Sequence, residues 1–255
     1  MKKILITNDD GYESEGLLAL IDALKDLAQI TVVAPSTEKS ACGHSLTLTR
    51  PLSFVSVGDD FFKLDDGTPS DCIYLALHSM FEEDRPDLVI SGINKGSNMG
   101  EDITYSGTAA GAMEAVLQGV PSIAISQVMD FTQPSGDFTL AKQAIRVIVE
   151  KIFAGNFPLR EREFININVP YDASELNFSV TYAGYRHYGN DAHLHRNPRG
   201  MEYYWLGLHP LDFTPRDNRS GLCDFEAIEQ GMVSLTPIKL DMSAYKSIKQ
   251  LQDWL

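Results

Sequence analysis

Two adjacent carboxylates, Asp9 and Asp10, stand in the run Asn8-Asp9-Asp10-Gly11, directly behind a short β-prone stretch, Ile4–Thr7. Neighbouring acids repel each other unless a proton or a cation intervenes. Hard oxygen ligands select Mg²⁺, Mn²⁺ or Ca²⁺ over softer metals. Asn, Asp and Gly are also turn formers, so a solvated turn is the plainer alternative. Glu13 and Glu15 add to the negative charge, or simply favour the start of a following helix.

Three further clusters carry polar groups of the same kind. Ser91-Gly92-Ile93-Asn94-Lys95-Gly96-Ser97-Asn98-Met99-Gly100 has glycines for close backbone approach and neutral oxygens and amides on Asn94 and Asn98. Ser106-Gly107-Thr108 opens a helical segment, where free amides and the helix dipole suit an anion. A plain serine N-cap uses the same residues. Behind Ala34-Pro35 comes Lys39-Ser40-Ala41-Cys42-Gly43-His44-Ser45, in which Ser40 can give an oxygen to a metal and His44 a proton. His193 and His195 are spaced i, i+2 with no third ligand at helical spacing, which does not make a zinc site.

The elements that position these clusters alternate along the chain. Leu17, Leu20, Ile21, Leu24 and Leu27 repeat at helical spacing after the first strand. Ile30–Ala34 is a second strand. Ser70 is placed to cap a helix bearing Ile73, Leu77 and Met80. Asp87–Ser91 forms a third strand, and Ser106 to Gly119 a helix that stops at Gly119 and Pro121. Pro121–Ser126, Leu140–Phe153 and Glu163–Asn168 continue as strand, helix and strand. Non-alternating runs such as Leu88-Val89-Ile90 suit strands buried on both faces. The pattern predicts an α/β fold, a Rossmann-like, mostly parallel sheet flanked by helices. Ligands in such sheets sit beyond the carboxyl ends of the strands. All four clusters fall after strands or at a helix start on that edge. Together they point to metal-assisted phosphoryl chemistry.

From about 180 to 237 the chain turns aromatic and polar. Thr181–Tyr188 and Met201–Leu208 are read as strands of a hairpin or extended arm. Tyr245–Leu255 is read as a short amphipathic helix with Ile248, Leu251 and Trp254 or Leu255 turned inward. Residues 1–255 therefore read as one domain, in which about 180–255 extends the core or mediates assembly, packed on or exchanged with a partner subunit, rather than folding alone.

Composition bounds the partners. Lys and Arg number 21 and Asp and Glu 35, a formal charge of −14 over 255 residues. That balance argues against long nucleic acid, which requires a basic surface. A small phosphorylated substrate remains open, because a bound cation reverses charge locally. No apolar run reaches the roughly 20 residues of a membrane span, and the N-terminal run is too short for a signal-peptide core. Three widely spaced cysteines, Cys42, Cys72 and Cys223, make neither a disulfide framework nor a Cys-x-x-Cys site. A reduced, cytoplasmic compartment is expected.

The motifs taken in order resemble the SurE family, the survival-protein-E nucleotidases. The resemblance runs through Ile6-Thr7-Asn8-Asp9-Asp10-Gly11 with Gly16, Ala34-Pro35, Ser40-Ala41 and Gly43-His44-Ser45. It continues through Gly67-Thr68-Pro69-Ser70-Asp71-Cys72, Ser91-Gly92-Ile93-Asn94 with Gly96 and Asn98, Ser106-Gly107-Thr108 and Gly119-Val120-Pro121. Asp224-Phe225-Glu226-Ala227-Ile228 and Ser234-Leu235-Thr236-Pro237 resemble the family's C-terminal pattern, from which Leu222-Cys223 departs. The resemblance implies a phosphoric monoester hydrolase, a 5′-nucleotidase acting on nucleoside monophosphates. It implies one divalent ion per subunit, Mg²⁺ or Mn²⁺, on Asp9, Asp10, Ser40 and Asn94. Asn98, Ser106, Gly107 and Thr108 would hold the phosphate, and Asp9 and Asp10 would carry the catalysis. Activity on 3′-nucleotides and short polyphosphate, and assembly as a homodimer or homotetramer, belong to the same implication.

Three rival readings fit less well. A receiver-type phosphoacceptor needs an Asp where Gly92 stands. A dinucleotide-binding oxidoreductase needs Gly-x-Gly-x-x-Gly after the first strand, where Asn8-Asp9-Asp10-Gly11 lies. A haloacid-dehalogenase-type phosphatase uses Asp-x-Asp, which adjacent Asp9 and Asp10 do not match.

Overall fold

A computed structural model of the chain describes residues 1–130, 136–217 and 220–255. It begins with β1 (Lys3–Thr7), α1 (Glu15–Leu24), β2 (Gln29–Pro35), β3 (Phe54–Gly58), β4 (Phe61–Leu64), α2 (Pro69–Ser79) and β5 (Leu88–Lys95). A 3₁₀ turn, Gly100–Thr104, leads into α3 (Gly107–Leu117), β6 (Ser122–Gln127), α4 (Thr139–Ala154), β7 (Glu163–Val169) and β8 (Phe178–Val180). Then come β9 (Tyr185–Arg196), β10 (Glu202–Thr214), α5 (Asp224–Glu229), β11 (Val233–Lys239) and α6 (Tyr245–Trp254).

Nine strands form one sheet in the order β3-β4-β2-β1-β5-β6-β7-β11-β8. Its centre is parallel: β1 pairs with β2 and β5, β5 with β6, and β6 with β7. Antiparallel pairs, β3 with β4 and β7 with β11, sit toward the edges. Strand order reverses at β1, with β2 on one side and β5 on the other, and a crevice opens at such a switch point.

The sheet is buried on both faces because its central strands carry apolar residues on both sides, Ile4, Leu5 and Ile6 in β1 and Leu88, Val89 and Ile90 in β5. Ile4 and Ile6 of β1 point into one core with α1 and α4, while Leu5 points into the other with α2. Leu88 and Ile90 of β5 join the first core and Val89 the second. Gly16 lets α1 lie close on the sheet: a Cβ there would stand 2.0 Å from the Ile93 carbonyl oxygen.

Several boundaries differ from the sequence expectation. The cap of α2 is Thr68, not Ser70, which lies buried inside the helix. Thr68 Oγ1 accepts from Asp71 N at 3.1 Å, and Asp71 Oδ2 accepts from Thr68 N at 2.9 Å. That reciprocal box, with Pro69 at the first helical position, outcompetes a lone serine. Strands β3, β4 and β11 and helix α5 carry no expectation from the sequence. Of the strand read over Thr181–Tyr188 only Tyr185–Tyr188 forms, as the start of β9, and β8, which ends at Val180, lies before it and carries no expectation from the sequence. The hairpin is longer than expected, Tyr185 to Arg196 against Glu202 to Thr214. Helix α6 forms as expected, but its apolar side is not turned inward: Ile248, Leu251, Trp254 and Leu255 are all exposed. No residue of α6 is buried, because nothing in the described chain packs against it.

Candidate active site

The acidic pair sits where β1 ends. Asn8 shapes the turn behind it, its Nδ2 donating to Gly11 O at 2.9 Å and to Ser14 Oγ at 2.7 Å. Ser14 in turn caps α1. Asp9 is only 3% exposed, and the Thr108 hydroxyl donates to its Oδ1. Burial lifts the Asp9 carboxyl to about 6; the Thr108 hydrogen bond opposes that rise and the Asp10 charge adds to it. The start of α3 reaches Asp9 only because residue 107 is glycine. A Cβ there would lie 2.7 Å from Asp9 Cβ and 2.8 Å from its Oδ2.

Asp10 faces the other way, toward β5. The Lys95 backbone N–H donates to Asp10 Oδ2 at 3.1 Å. Burial raises the Asp10 carboxyl above its usual range; the Lys95 bond works against this and the Glu38 charge with it. The Ser40 loop is pinned by Lys39 N, which donates to Asp9 O at 2.7 Å. Ser40 itself is exposed and donates to Glu38 Oε1 at 2.8 Å. Asn94 follows an irregularity in the β5–β6 pairing between Ser91 and Asn94. Its Nδ2 donates to Gly96 O at 2.8 Å, which leaves the amide oxygen as the end able to meet a cation. A cleft of about 590 Å³ is lined by Asp10, Glu13, Glu15, Glu38, Ser40 and Lys95 among others.

The expected phosphate residues lie on the neighbouring strand ends and helix start. Ser106 caps α3, accepting from Ala109 N at 2.9 Å, so the first-turn amides of Gly107 and Thr108 lack intrahelical partners. The Thr108 hydroxyl is directed to Asp9. Asn98 is buried, and its Nδ2 donates to Ser126 Oγ at 2.7 Å. Asn98 N donates to Asn168 Oδ1 at 2.8 Å, and Asn98 O accepts from Asn166 and Asn168 at 2.8 and 3.0 Å. Ser126, Asn166 and Asn168 escape the sequence reading, although polar residues inside otherwise apolar strands are a usable signal.

His44 bonds through Nε2 to Glu114 Oε2 at 2.7 Å and so ties the Ser40 loop to α3. Burial pushes the Glu114 carboxyl up, but the bonds from His44 and Gln118 outweigh it and hold it below its usual range. His193 and His195 lie on β9, with His193 against Asp191 at 3.0 Å. Cys223 is buried in an apolar cluster with Met99 and Phe225.

Among the described residues, no group of three or more His, Cys, Asp or Glu is arranged to hold a metal ion. Two carboxylates with neutral serine and asparagine oxygens would be a different donor set. Its chemistry fits a hard divalent ion. Burial raises both carboxyls, that of Asp9 inside the protein and that of Asp10 half-buried at the cleft.

Fold and site together define a doubly wound α/β protein with paired acids and a capped helix start on one ligand edge. Comparison with known proteins narrows this class. The family model for "Survival protein SurE" matches residues 4–190. A protein from Sulfurimonas denitrificans named "5'-nucleotidase SurE" is 65% identical over 99% of this chain and 98% of its own. One of the same name from Helicobacter hepaticus is 61% identical over 100% and 99%. The crystal structure of the "Sure Protein" from Aquifex aeolicus superposes with a TM-score of 0.82 at 39% identity, covering 99% of each chain. The chain belongs to the SurE family. No described helix is long and apolar enough to cross a membrane.

Proposed function

We propose that the chain is a metal-dependent phosphatase that hydrolyses nucleoside 5′-monophosphates to nucleoside and phosphate. The observation that carries this reading is Asp9, a desolvated carboxylate at a strand end, packed against the start of α3 through Gly107. The names of the relatives from Sulfurimonas and Helicobacter support the substrate.

Asp9, Asp10, Ser40 and Asn94 would hold one Mg²⁺ or Mn²⁺. Such an ion supplies the positive charge that lets a phosphate approach two carboxylates, and acidifies nearby water. The amides of Gly107 and Thr108, with Ser106 and Asn98, meet the equatorial oxygens of the phosphoryl group. Thr108 holds Asp9 in one orientation through its hydroxyl. Asp9 then takes the proton of an attacking water, or attacks phosphorus itself and is released by water. In either route the bond from phosphorus to the ester oxygen breaks and the nucleoside leaves with a proton. Inversion at a chiral thiophosphoryl centre marks the first route and retention the second.

Assembly as a homodimer or homotetramer belongs to the same reading, with about 180–255 as the assembly segment of a single-domain chain. Exposed Tyr204, Trp205 and Leu206 on the arm and Ile248, Leu251 and Trp254 on α6 support it. A cytoplasmic setting accords with three free thiols. A screen of phosphate release from 5′- and 3′-nucleotides and short polyphosphate, with EDTA and Mg²⁺ or Mn²⁺ add-back, tests activity and metal dependence. Calorimetric titration of Mn²⁺ into wild type and Asp10→Asn tests the ligand set separately. Release from 5′-monophosphates that survives EDTA, or equal Mn²⁺ affinity in both proteins, overturns the corresponding part.

A further inference from the structure

We infer that Asp102 is a positioning residue that couples the orientation of the β9–β10 arm to the phosphate-holding start of α3. The inference rests on the phosphate site proposed above. Asp102 lies in the 3₁₀ turn that joins Asn98 to Ser106, and it is held from both sides. Its side chain belongs to the arm: Oδ2 accepts from Arg186 Nε at 3.1 Å, and Oδ1 accepts from the Tyr188 hydroxyl. Arg186 and Tyr188 alternate on β9 and so project from one face. The main chain of Asp102 belongs to the site. Its carbonyl accepts from Tyr105 N at 3.0 Å and from Ser106 N at 3.1 Å. Ser106 is the cap whose position fixes the first-turn amides of α3.

The other end of the same turn is fixed to the arm's root. Asp224, fully buried, accepts from Gly100 N at 2.7 Å on Oδ2 and from Gly184 N at 2.9 Å on Oδ1. The Arg186 guanidinium stacks over the Phe225 ring, 4.3 Å from its centroid, so the cation that meets Asp102 is itself braced by the root. The Arg186 and Asp102 side chains are only 14% and 16% exposed, a setting in which removing one partner leaves the other desolvated and unpaired. The turn therefore cannot shift relative to the arm without breaking these bonds. Glu101 adds a second tie, accepting from Arg186 N at 3.2 Å, but among the described residues Asp102 alone joins the arm by its side chain to Ser106 by its carbonyl.

The test compares Asp102→Asn, Tyr188→Phe, their double variant and Ser106→Ala. Each is assayed for hydrolysis of a nucleoside 5′-monophosphate at saturating Mn²⁺, and for inhibition by inorganic phosphate, at a concentration where sedimentation shows the wild-type assembly. Asp102→Asn should raise KM and the phosphate inhibition constant in parallel, by about tenfold, with kcat lowered less than threefold. Tyr188→Phe should do the same by about threefold, and the double variant should be no worse than Asp102→Asn. A phosphate inhibition constant unchanged in Asp102→Asn, while Ser106→Ala weakens it, overturns the coupling alone. No change in Ser106→Ala overturns the phosphate site itself. Should Asp102→Asn fail to fold, Tyr188→Phe decides by the same constant: unchanged inhibition overturns the coupling.

Discussion

The ligand edge of the main sheet and the β9–β10 arm solve opposite problems. At the edge, polar groups are buried and each is tied to another segment: Asp9 to Thr108, Asp10 to Lys95, Asn98 to Ser126 and Asn168. On the arm, apolar groups are left in water, with Trp205 at 65% and Leu206 at 80% exposed. Burying unpaired carboxylates costs stability, and exposing aromatic and aliphatic side chains forgoes it. Each region is thus incomplete in its own way: acids outnumber Lys95 in the cleft at the edge, and the described arm lacks apolar cover. Under the function proposed above, the comparison assigns chemistry to the centre and association to the periphery.

The largest expected effect breaks that separation if it is absent. Asp9→Asn should lower kcat/KM by about 10³-fold or more while leaving the sedimentation behaviour unchanged. Activity within tenfold of wild type would show that the edge is not where turnover happens. Next, Leu251→Ser with Trp254→Ser should shift the assembly toward single chains by more than about tenfold in dissociation constant. The melting temperature of the metal-loaded core should scarcely move. An unchanged assembly would remove α6 from the association surface.

The smallest effect sharpens the electrostatic side. The folded pKa of Asp9, about 6, lies above its ordinary value of 3.8, so between those values the native state binds more protons than the unfolded one. Ionised Asp9 therefore costs stability in full above about pH 6, on the order of 3 kcal/mol, and nothing below about pH 4. Metal-free Asp9→Asn should melt higher than wild type at neutral pH, and the gap should close as pH falls through that window. Thermal melts across pH 4 to 8 in EDTA check this, and a constant gap would contradict it.

The central sheet is legible from sequence because its strands are short apolar runs with polar clusters behind them. Ile4–Thr7, Ile30–Ala34 and Leu88–Ile90 place Asp9, Ser40 and Asn94 on one edge by topology alone. What sequence cannot supply is pairing across distance. The bond from Thr108 to Asp9 spans 99 residues and that from Asn98 N to Asn168 spans 70. Glu38 carries no expectation from the sequence, and only the fold brings its charge to Asp10. The arm is blurred because both its faces carry exposed residues, so neither strand shows the one-sided alternation that marks a half-buried strand. The inward turn expected of α6 fails for a related reason: a helix can be amphipathic toward a surface its own chain does not contain.

The arm leaves the main sheet after β8 and returns through α5 to β11, and β8 and β11 are paired neighbours. Its two ends are therefore stapled side by side, with Tyr182 bridged to Cys223 at the base. An excursion closed at its foot can be cut at its tip without unravelling the body. The exposed turn at Asn197–Gly200 is such a tip, closed locally by Asn197 Oδ1, which accepts from Arg199 N and Met201 N. A change in length or a proteolytic nick there should be absorbed locally, leaving the register of the central sheet unchanged.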